Sequence, residues 1–405
     1  MRPGRPLPLA PALGPGRSRR RSHPVTLIEY GNRVHFADNI LEEAIWAELD
    51  RRGRGGVCLI TDQQHATSDL GERVRAAVPR RMPSTCLFAR GGAPREAEAR
   101  AIAARCAEFG CDALLAYGPG EIINLAKAVR LMLGEDVPLL RFAESEGGTT
   151  RIPGRMPELI ALPTLRGFGA AFNGLLSILL DDGRMIDIAS RELTPTVTIA
   201  DTSVTAKASP ATRASTAVMA ITLCAEALLS PHYNPPASGF AFDGLRRVLR
   251  ALPPVMARDD ADARRELMAS CMNAAMIGEK GLGTVHAIAS ALCTVAPPRS
   301  DSHTLDKAAT RRLLLPRIAA VHAEAAPQGC EGLAEALGVE GAGQLAGRLG
   351  EIFADLPLPQ SLAALGLEAA QLELAAERAI RHRAFGNGPS RLDAASVAEI
   401  LRAVF

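Results

Sequence analysis

D-A-L-L-A-Y-G-P-G-E-I-I-N-L-A-K-A, residues Asp112 to Ala128, runs from an apolar stretch through a two-glycine turn into helical spacing. Asp112 to Gly118 has the near-continuous apolar character of a strand covered on both faces, which is how parallel strands read. Gly118 and Gly120 then open a helix. In that setting glycines let backbone amides approach a phosphate, and the helix amino end favours its charge. Two glycines between a strand and a helix also make an ordinary turn, so this segment alone leaves both readings open.

Outward from it the pattern recurs. Val57 to Asp62 (V-C-L-I-T-D), Glu158 to Pro163 (E-L-I-A-L-P) and Thr196 to Asp201 (T-V-T-I-A-D) read as further buried strands, and Ala93 to Gly110 has helical spacing. Strands alternating with helices imply right-handed crossovers and an open parallel sheet. Gly183, in D-D-G between L-L-S-I-L-L and R-M-I-D-I, predicts a hairpin inserted before the last strand. After about Ser203 helical periodicity continues to Phe405. The expected organisation is therefore an α/β domain over residues 25–203 and an all-helical domain over 204–405.

A chain of 405 residues is long enough for two domains with sizeable cores. With 47% hydrophobic but only 4% aromatic residues, those cores should be aliphatic. The net charge of +2 is misleading, because Arg2, Arg5, Arg17, Arg19, Arg20 and Arg21 precede Val25 without one acid. The remainder holds 40 basic against 44 acidic residues, a net of −4, with no basic stripe to suggest nucleic acid. Residues 1–24 read as a disordered Pro/Gly/Arg-rich tail or the leader of an over-long start site; prolines interrupt their apolar stretch, unlike a secretion signal. No run approaches the roughly 20 apolar residues that span a bilayer. A cytoplasmic protein with no membrane partner is expected.

The cysteines at 58, 86, 106, 111, 224, 271, 293 and 330 contain no CxxC pair, a spacing that suits neither a disulfide framework nor a thiolate zinc site. They read as small buried hydrophobes. Cys224 alone has a second reading, as a nucleophile that would need a nearby base or a lowered pKa.

The run A-S-T-A-V-M-A-I-T-L-C-A-E-A-L (Ala214 to Leu228) resembles a signature of the iron-containing alcohol dehydrogenase and maleylacetate reductase superfamily. The likeness extends from about Val25 to Phe405. It includes E-A-L-L-S-P-H-Y-N-P (Glu226 to Pro235), L-L-L-P (Leu313 to Pro316) and L-P-Q-S-L-A-A-L-G-L (Leu358 to Leu367), and is nearest the maleylacetate-reductase-like branch. It implies a dinucleotide-binding domain followed by a helical one, the architecture shared with dehydroquinate synthase-like proteins. It also implies reduction of a carbonyl or carbon–carbon double bond with NAD or NADP.

Metal-dependent members carry Asp and, four residues later, His in this helix, on one face. Here those positions are Met219 and Leu223, which offer a hard divalent ion neither anionic oxygen nor imidazole nitrogen. The expectation is that no metal is bound. A third ligand position survives as His286 in G-L-G-T-V-H-A-I-A-S-A-L (Gly281 to Leu292), while the family's second histidine in that helix is Ser290. His303 falls near the fourth position, and a shifted site from His286, His303, Asp301 or Asp306 is a further alternative. His35, His65, His232, His322 and His382 read as surface or packing residues.

In the nucleotide half the resemblance assigns cofactor contacts to Asp62, Gly118, Gly120, Glu121, Asn124, Thr164 and Leu165. The family's G-G-G-S turn is here Gly118-Pro119-Gly120-Glu121, its Asp is Asn124, and A-K-A persists at Ala126 to Ala128. Pro119 removes an amide donor. Glu121 sets a carboxylate where a hydroxyl would face pyrophosphate, so binding is expected to be weak unless Arg166 neutralises it. The second loop keeps Thr164, Gly167 and Gly169 but has Leu165 and Phe168 in place of polar residues.

Three functions follow. The first is a metal-independent oxidoreductase in which His286, Ser290 or Lys280 supplies a donor to a carbonyl oxygen. The second is a tailoring dehydrogenase of a biosynthetic pathway, acting on a peptide terminus as in daptide-type ribosomal peptides. The third is a non-catalytic protein that retains the fold. His286 also reads as a merely structural, hydrogen-bonded histidine. The expected partner is a small molecule or peptide terminus, with a homodimer possible.

Overall fold

The computed structural model describes residues 31–51, 55–135, 137–258, 260–296 and 305–405. The expected tail over residues 1–24, and Asp301 and His303, lie outside them. The first half contains β1 (Arg33–Ala37), α1 (Leu41–Asp50), β2 (Gly56–Asp62), α2 (Gln63–Ala66), α3 (Asp69–Ala77), β3 (Ser84–Ala89) and α4 (Glu96–Phe109). It continues through β4 (Cys111–Gly118), α5 (Gly120–Gly134), β5 (Glu158–Pro163), β6 (Leu175–Leu179), β7 (Met185–Ala189) and β8 (Val197–Asp201). The second half is helical: α6 (Pro210–Leu229), α7 (Pro235–Ala257), α8 (Ala261–Met276), α9 (Thr284–Val295) and α10 (Lys307–Ala325). These are followed by α11 (Glu331–Leu337), α12 (Leu345–Phe353), α13 (Leu372–Ala379) and α14 (Ala394–Arg402).

Six strands pair in parallel in the order β1-β8-β5-β4-β2-β3. The near-continuous apolar runs are explained by two cores, one on each face. Along β2, Val57 and Leu59 pack with α1 and α3, while Cys58 and Ile60 enter the larger core. β4 divides likewise, with Leu115 and Tyr117 on one side and Leu114 and Ala116 on the other. This is the two-residue alternation of a strand, apolar on both sides through its middle because neither face meets water there. Ile123 and Val129 of α5 belong to the larger core.

β6 and β7 form the expected antiparallel hairpin, with Gly183 at φ +86° in its turn. The edge strands β1 and β3 had no counterpart in the sequence reading. α6 corrects another expectation: by length and composition it is apolar enough to cross a bilayer. Two-thirds of that stretch, 67%, is buried against the other helices, which makes it a core helix.

Candidate active site

The chain order reverses between β2 and β4. From β2 the sheet grows outward to β3, and the next strand, β4, returns to the opposite side of β2. The carboxyl ends of these strands, carrying Asp62 and Gly118, therefore flank a topological switch point, where open α/β sheets bind ligands.

Gly118 adopts φ +138°, a region side chains rarely enter. Two residues on, the turn meets the loop after β5 backbone to backbone. A Cβ on Gly120 would stand 2.7 Å from the Gly167 carbonyl oxygen, and one on Gly167 would stand 2.7 Å from the Gly120 Cα. Thr164 donates its N–H to the Gly118 carbonyl at 2.9 Å, and Gly120 donates its own to the Arg166 carbonyl at 3.0 Å. With no amide hydrogen on Pro119 and that of Gly120 spent, this turn holds its neighbouring loop more than it cradles a phosphate. A cation stands beside it instead: Arg166 Nη2 donates to Glu121 Oε1 at 2.7 Å. Glu121 Oε2 is buried and has no partner among the described residues.

Asp62 caps α2, accepting from the His65 N–H at 2.8 Å and facing the His65 ring nitrogen at 2.9 Å. Burial pushes this carboxyl up, but the His65 bonds prevail and hold it below its ordinary value. Asn124 lies 3.5 Å from the Lys127 ammonium, which also donates to the Leu175 carbonyl at 2.8 Å. Lys127 is fully buried, and that burial, aided by Arg130, brings it down to about 7. The Leu165 side chain is core, while its carbonyl accepts from Thr216 Oγ1 of α6 at 3.3 Å. The crevice fits a dinucleotide in kind: a switch point, a glycine turn, a carboxylate at the end of β2, and a cation at the turn.

On the helical side, Met219 and Glu226 sit two turns apart on α6, facing α9 and α10. α9 begins at Gly283, which has no side chain to cap the first turn. Glu226 reaches across to do so, accepting from Val285 N–H at 2.7 Å and His286 N–H at 3.2 Å. Any Cβ at position 283 would stand 2.7 Å from its carboxylate, so glycine is required there. Burial raises this carboxyl to about 7 against the opposing pull of Arg311 and the capped amides.

Arg311 of α10 fills the space between Met219 and His286. It is 2% exposed. Its Nη2 donates to His286 Nδ1 at 2.8 Å, and its Nη1 stands 2.7 Å from the Met219 sulfur. Its Nε is buried with no partner among the described residues. Because guanidinium only donates, Nδ1 of His286 must accept, which places the imidazole hydrogen on Nε2, 3.5 Å from Ser290 Oγ. Burial first, then Arg311 and His382, hold His286 well below its ordinary pKa, so the ring is neutral. The His382 ring completes the group, edge-on to His286 with centroids 5.4 Å apart.

These residues do not fit a divalent metal. The two nearest donors at the family's ligand positions, a thioether and an imidazole nitrogen, are both occupied by a protein cation. Asp306, offered for a shifted site, caps α10 by accepting from Ala308 and Ala309 N–H at 2.9 and 3.1 Å. Lys280 lies apart, its ammonium donating to the His232 carbonyl at 2.6 Å and Ser238 Oγ at 3.0 Å. Cys224 is fully buried and burial pushes its thiol up, which suits packing and not nucleophilic attack. Arg311 and His382 were missed in the sequence. The one available signal was a pair of arginines, Arg311 and Arg312, opening the otherwise apolar L-L-L-P run.

The profile of the iron-containing alcohol dehydrogenase family matches residues 32–202, and that of the Fe-containing alcohol dehydrogenase family, C-terminal, matches residues 213–405. The 4-hydroxybutyrate dehydrogenase of Cupriavidus necator is 34% identical over 277 residues, which is 66% of this chain and 70% of that protein. The maleylacetate reductase of Burkholderia cepacia is 28% identical over 363 residues, covering 86% and 89% respectively. Among solved structures, a 1,3-propanediol oxidoreductase superposes with a TM-score of 0.82 at 20% identity, covering 94% of this chain and 100% of its own.

Proposed function

The chain belongs to the iron-containing alcohol dehydrogenase family, and from that premise we propose an NAD(P)-dependent oxidoreductase that needs no divalent metal. Its substrate is a short carbonyl compound, or the corresponding alcohol, bearing a carboxylate. The observation that carries this reading is the buried Arg311 guanidinium between Met219 and His286; among the described residues its Nε has no partner and its Nη1 meets only a thioether. A thioether is a weak acceptor, so these donors remain available to an oxygen.

A bound nicotinamide would supply the hydride to the carbonyl carbon. As the hydride arrives, the carbonyl π pair moves onto oxygen, and a fixed cation in a dry site stabilises that charge without reorganising. Arg311 provides the cation, and neutral His286 adds a hydrogen bond through Nε2–H. A proton from water completes the alcohol. Support for a carboxylate comes from two sources. Arg311, Lys307 and Arg383 all disfavour a proton on His286, so the field at the imidazole is positive. Two relatives are named for substrates that carry carboxylates.

The test is oxidation of 4-hydroxybutyrate with NAD and NADP by protein stripped with a strong chelator. Turnover should survive chelation and fall on the order of a hundredfold or more in His286→Gln, the range for a positioned donor. Activity that returns only when iron or zinc is added would overturn the metal-free reading. Failure to bind either nucleotide at millimolar concentration would favour a retained fold without catalysis.

A further inference from the structure

Cys58, Cys106 and Cys111 converge from separate elements at the amino end of the parallel sheet. Cys58 lies in β2, Cys106 in the last turn of α4, and Cys111 opens β4. Their three sulfur atoms all lie within 4.8 Å of one another. We propose that they form a binding site for a soft d10 metal ion held by three thiolates.

The spacing is close to what such an ion requires. Three sulfurs at about 2.3 Å from a common tetrahedral zinc stand roughly 3.8 Å apart, so closure needs side-chain shifts of about an ångström. The backbone is already set for it. Gly110, at φ +70°, ends α4 in the left-handed conformation and turns the chain so that Cys111 comes back beside Cys106. Among the described residues no carboxylate or imidazole takes part in the cluster, which selects soft ions over magnesium or calcium. Cys58 and Cys106 are fully buried and Cys111 is partly exposed, which leaves a route for the ion and for one water as a fourth ligand.

On binding, three metal–sulfur bonds form and each thiol gives its proton to solvent. Position separates this site from the chemistry. β4 runs from Cys111 to Gly118, and its eight residues put about 23 Å of strand between the thiols and the nucleotide crevice. An ion here would brace the sheet and would take no part in hydride transfer.

The experiment is anaerobic titration of the reduced, metal-free, full-length protein with cadmium, followed by ultraviolet thiolate-to-metal absorption and melting temperature. One equivalent should bind, the absorption should reach the intensity of three Cd–S bonds, and the melting temperature should rise by several degrees. Cys111→Ser, at the partly exposed position, should lose the one-equivalent signal while keeping the fold, and Cys271→Ser should keep it. No saturable absorption, or a signal unchanged in Cys111→Ser, would overturn the proposal. So would oxidation of two of these thiols to a disulfide under the same reducing conditions. Turnover should be unchanged by loading, so this result stands or falls separately from the metal-free reading of the active site.

Discussion

Arg311 Nη2 stands 2.8 Å from His286 Nδ1, so this imidazole nitrogen is already accepting a hydrogen bond from a cation. On the reading proposed above, the cation that meets the substrate oxygen is the Arg311 guanidinium, covalently part of α10. That reading has consequences that can be measured.

Removing the guanidinium should remove the chemistry and leave a cavity of its shape. Arg311→Ala should lower kcat/KM by a factor of about a hundred to a thousand, as for loss of an oxyanion donor. Millimolar guanidinium chloride should restore part of the loss, and an alkylammonium of similar size should restore less. Absence of any rescue, with circular dichroism unchanged, would assign Arg311 a packing role.

Restoring the missing ligands should not restore the metal. The double variant Met219→Asp/Leu223→His should bind no zinc in calorimetry while Arg311 remains, because the new carboxylate pairs with the guanidinium instead. The triple variant that also carries Arg311→Ala should bind one equivalent. Tight zinc binding by the double variant would show that Arg311 leaves the site readily.

At the nucleotide turn, Glu121 and Arg166 act as a pair, 2.7 Å apart. Glu121→Ser therefore should not tighten dinucleotide binding. Arg166→Ala should weaken it by on the order of tenfold and flatten its dependence on salt, since the cation facing the phosphates is gone. Fluorescence titration with NADH and NADPH reads both outcomes.

His322 gives the fold a pH dependence of its own. It is buried, 2.7 Å from Ser390 Oγ, and burial lowers it to about 4. The unfolded chain takes up a proton near the ordinary value of about 6.5 that the folded chain refuses until about 4. The stability linked to this group is therefore complete above about pH 6.5 and is lost as pH falls towards 4. In urea melts across that window, His322→Gln should show a shallower decline than the parent, by a few kcal/mol at most.

The sheet was legible where burial is two-sided. β2, β4, β5 and β8 announce themselves because their apolar residues fall on both faces, and the observed bounds lie within a residue of those expected. β1 and β3 sit at the sheet edges with partly exposed residues, and their short mixed sequences carry no period strong enough to stand out. That Met219 and Leu223 stand where the resemblance places ligands needed only a register within one helix. The guanidinium beside Met219 could not be read that way. Burial of Arg311 depends on how α10 packs against α6 and α9, and the meeting of Cys58 with Cys106 and Cys111 depends on a crossover between strands. Neither leaves a mark in spacing along the chain.

The contact of Gly120 with Gly167 makes the two nucleotide loops one mechanical part. Neither can shift by the width of a methyl group without driving the other, and Leu165 in the second loop is tied to Thr216, three residues before Met219 on α6. Pressure of a pyrophosphate on the turn would thus arrive, through two glycines and one hydroxyl, at the helix on which Arg311 rests. Loading of the nucleotide turn would bear directly on the helix that packs against Arg311, and a bulkier residue at 120 or 167 would part the two loops as surely as it would block the nucleotide.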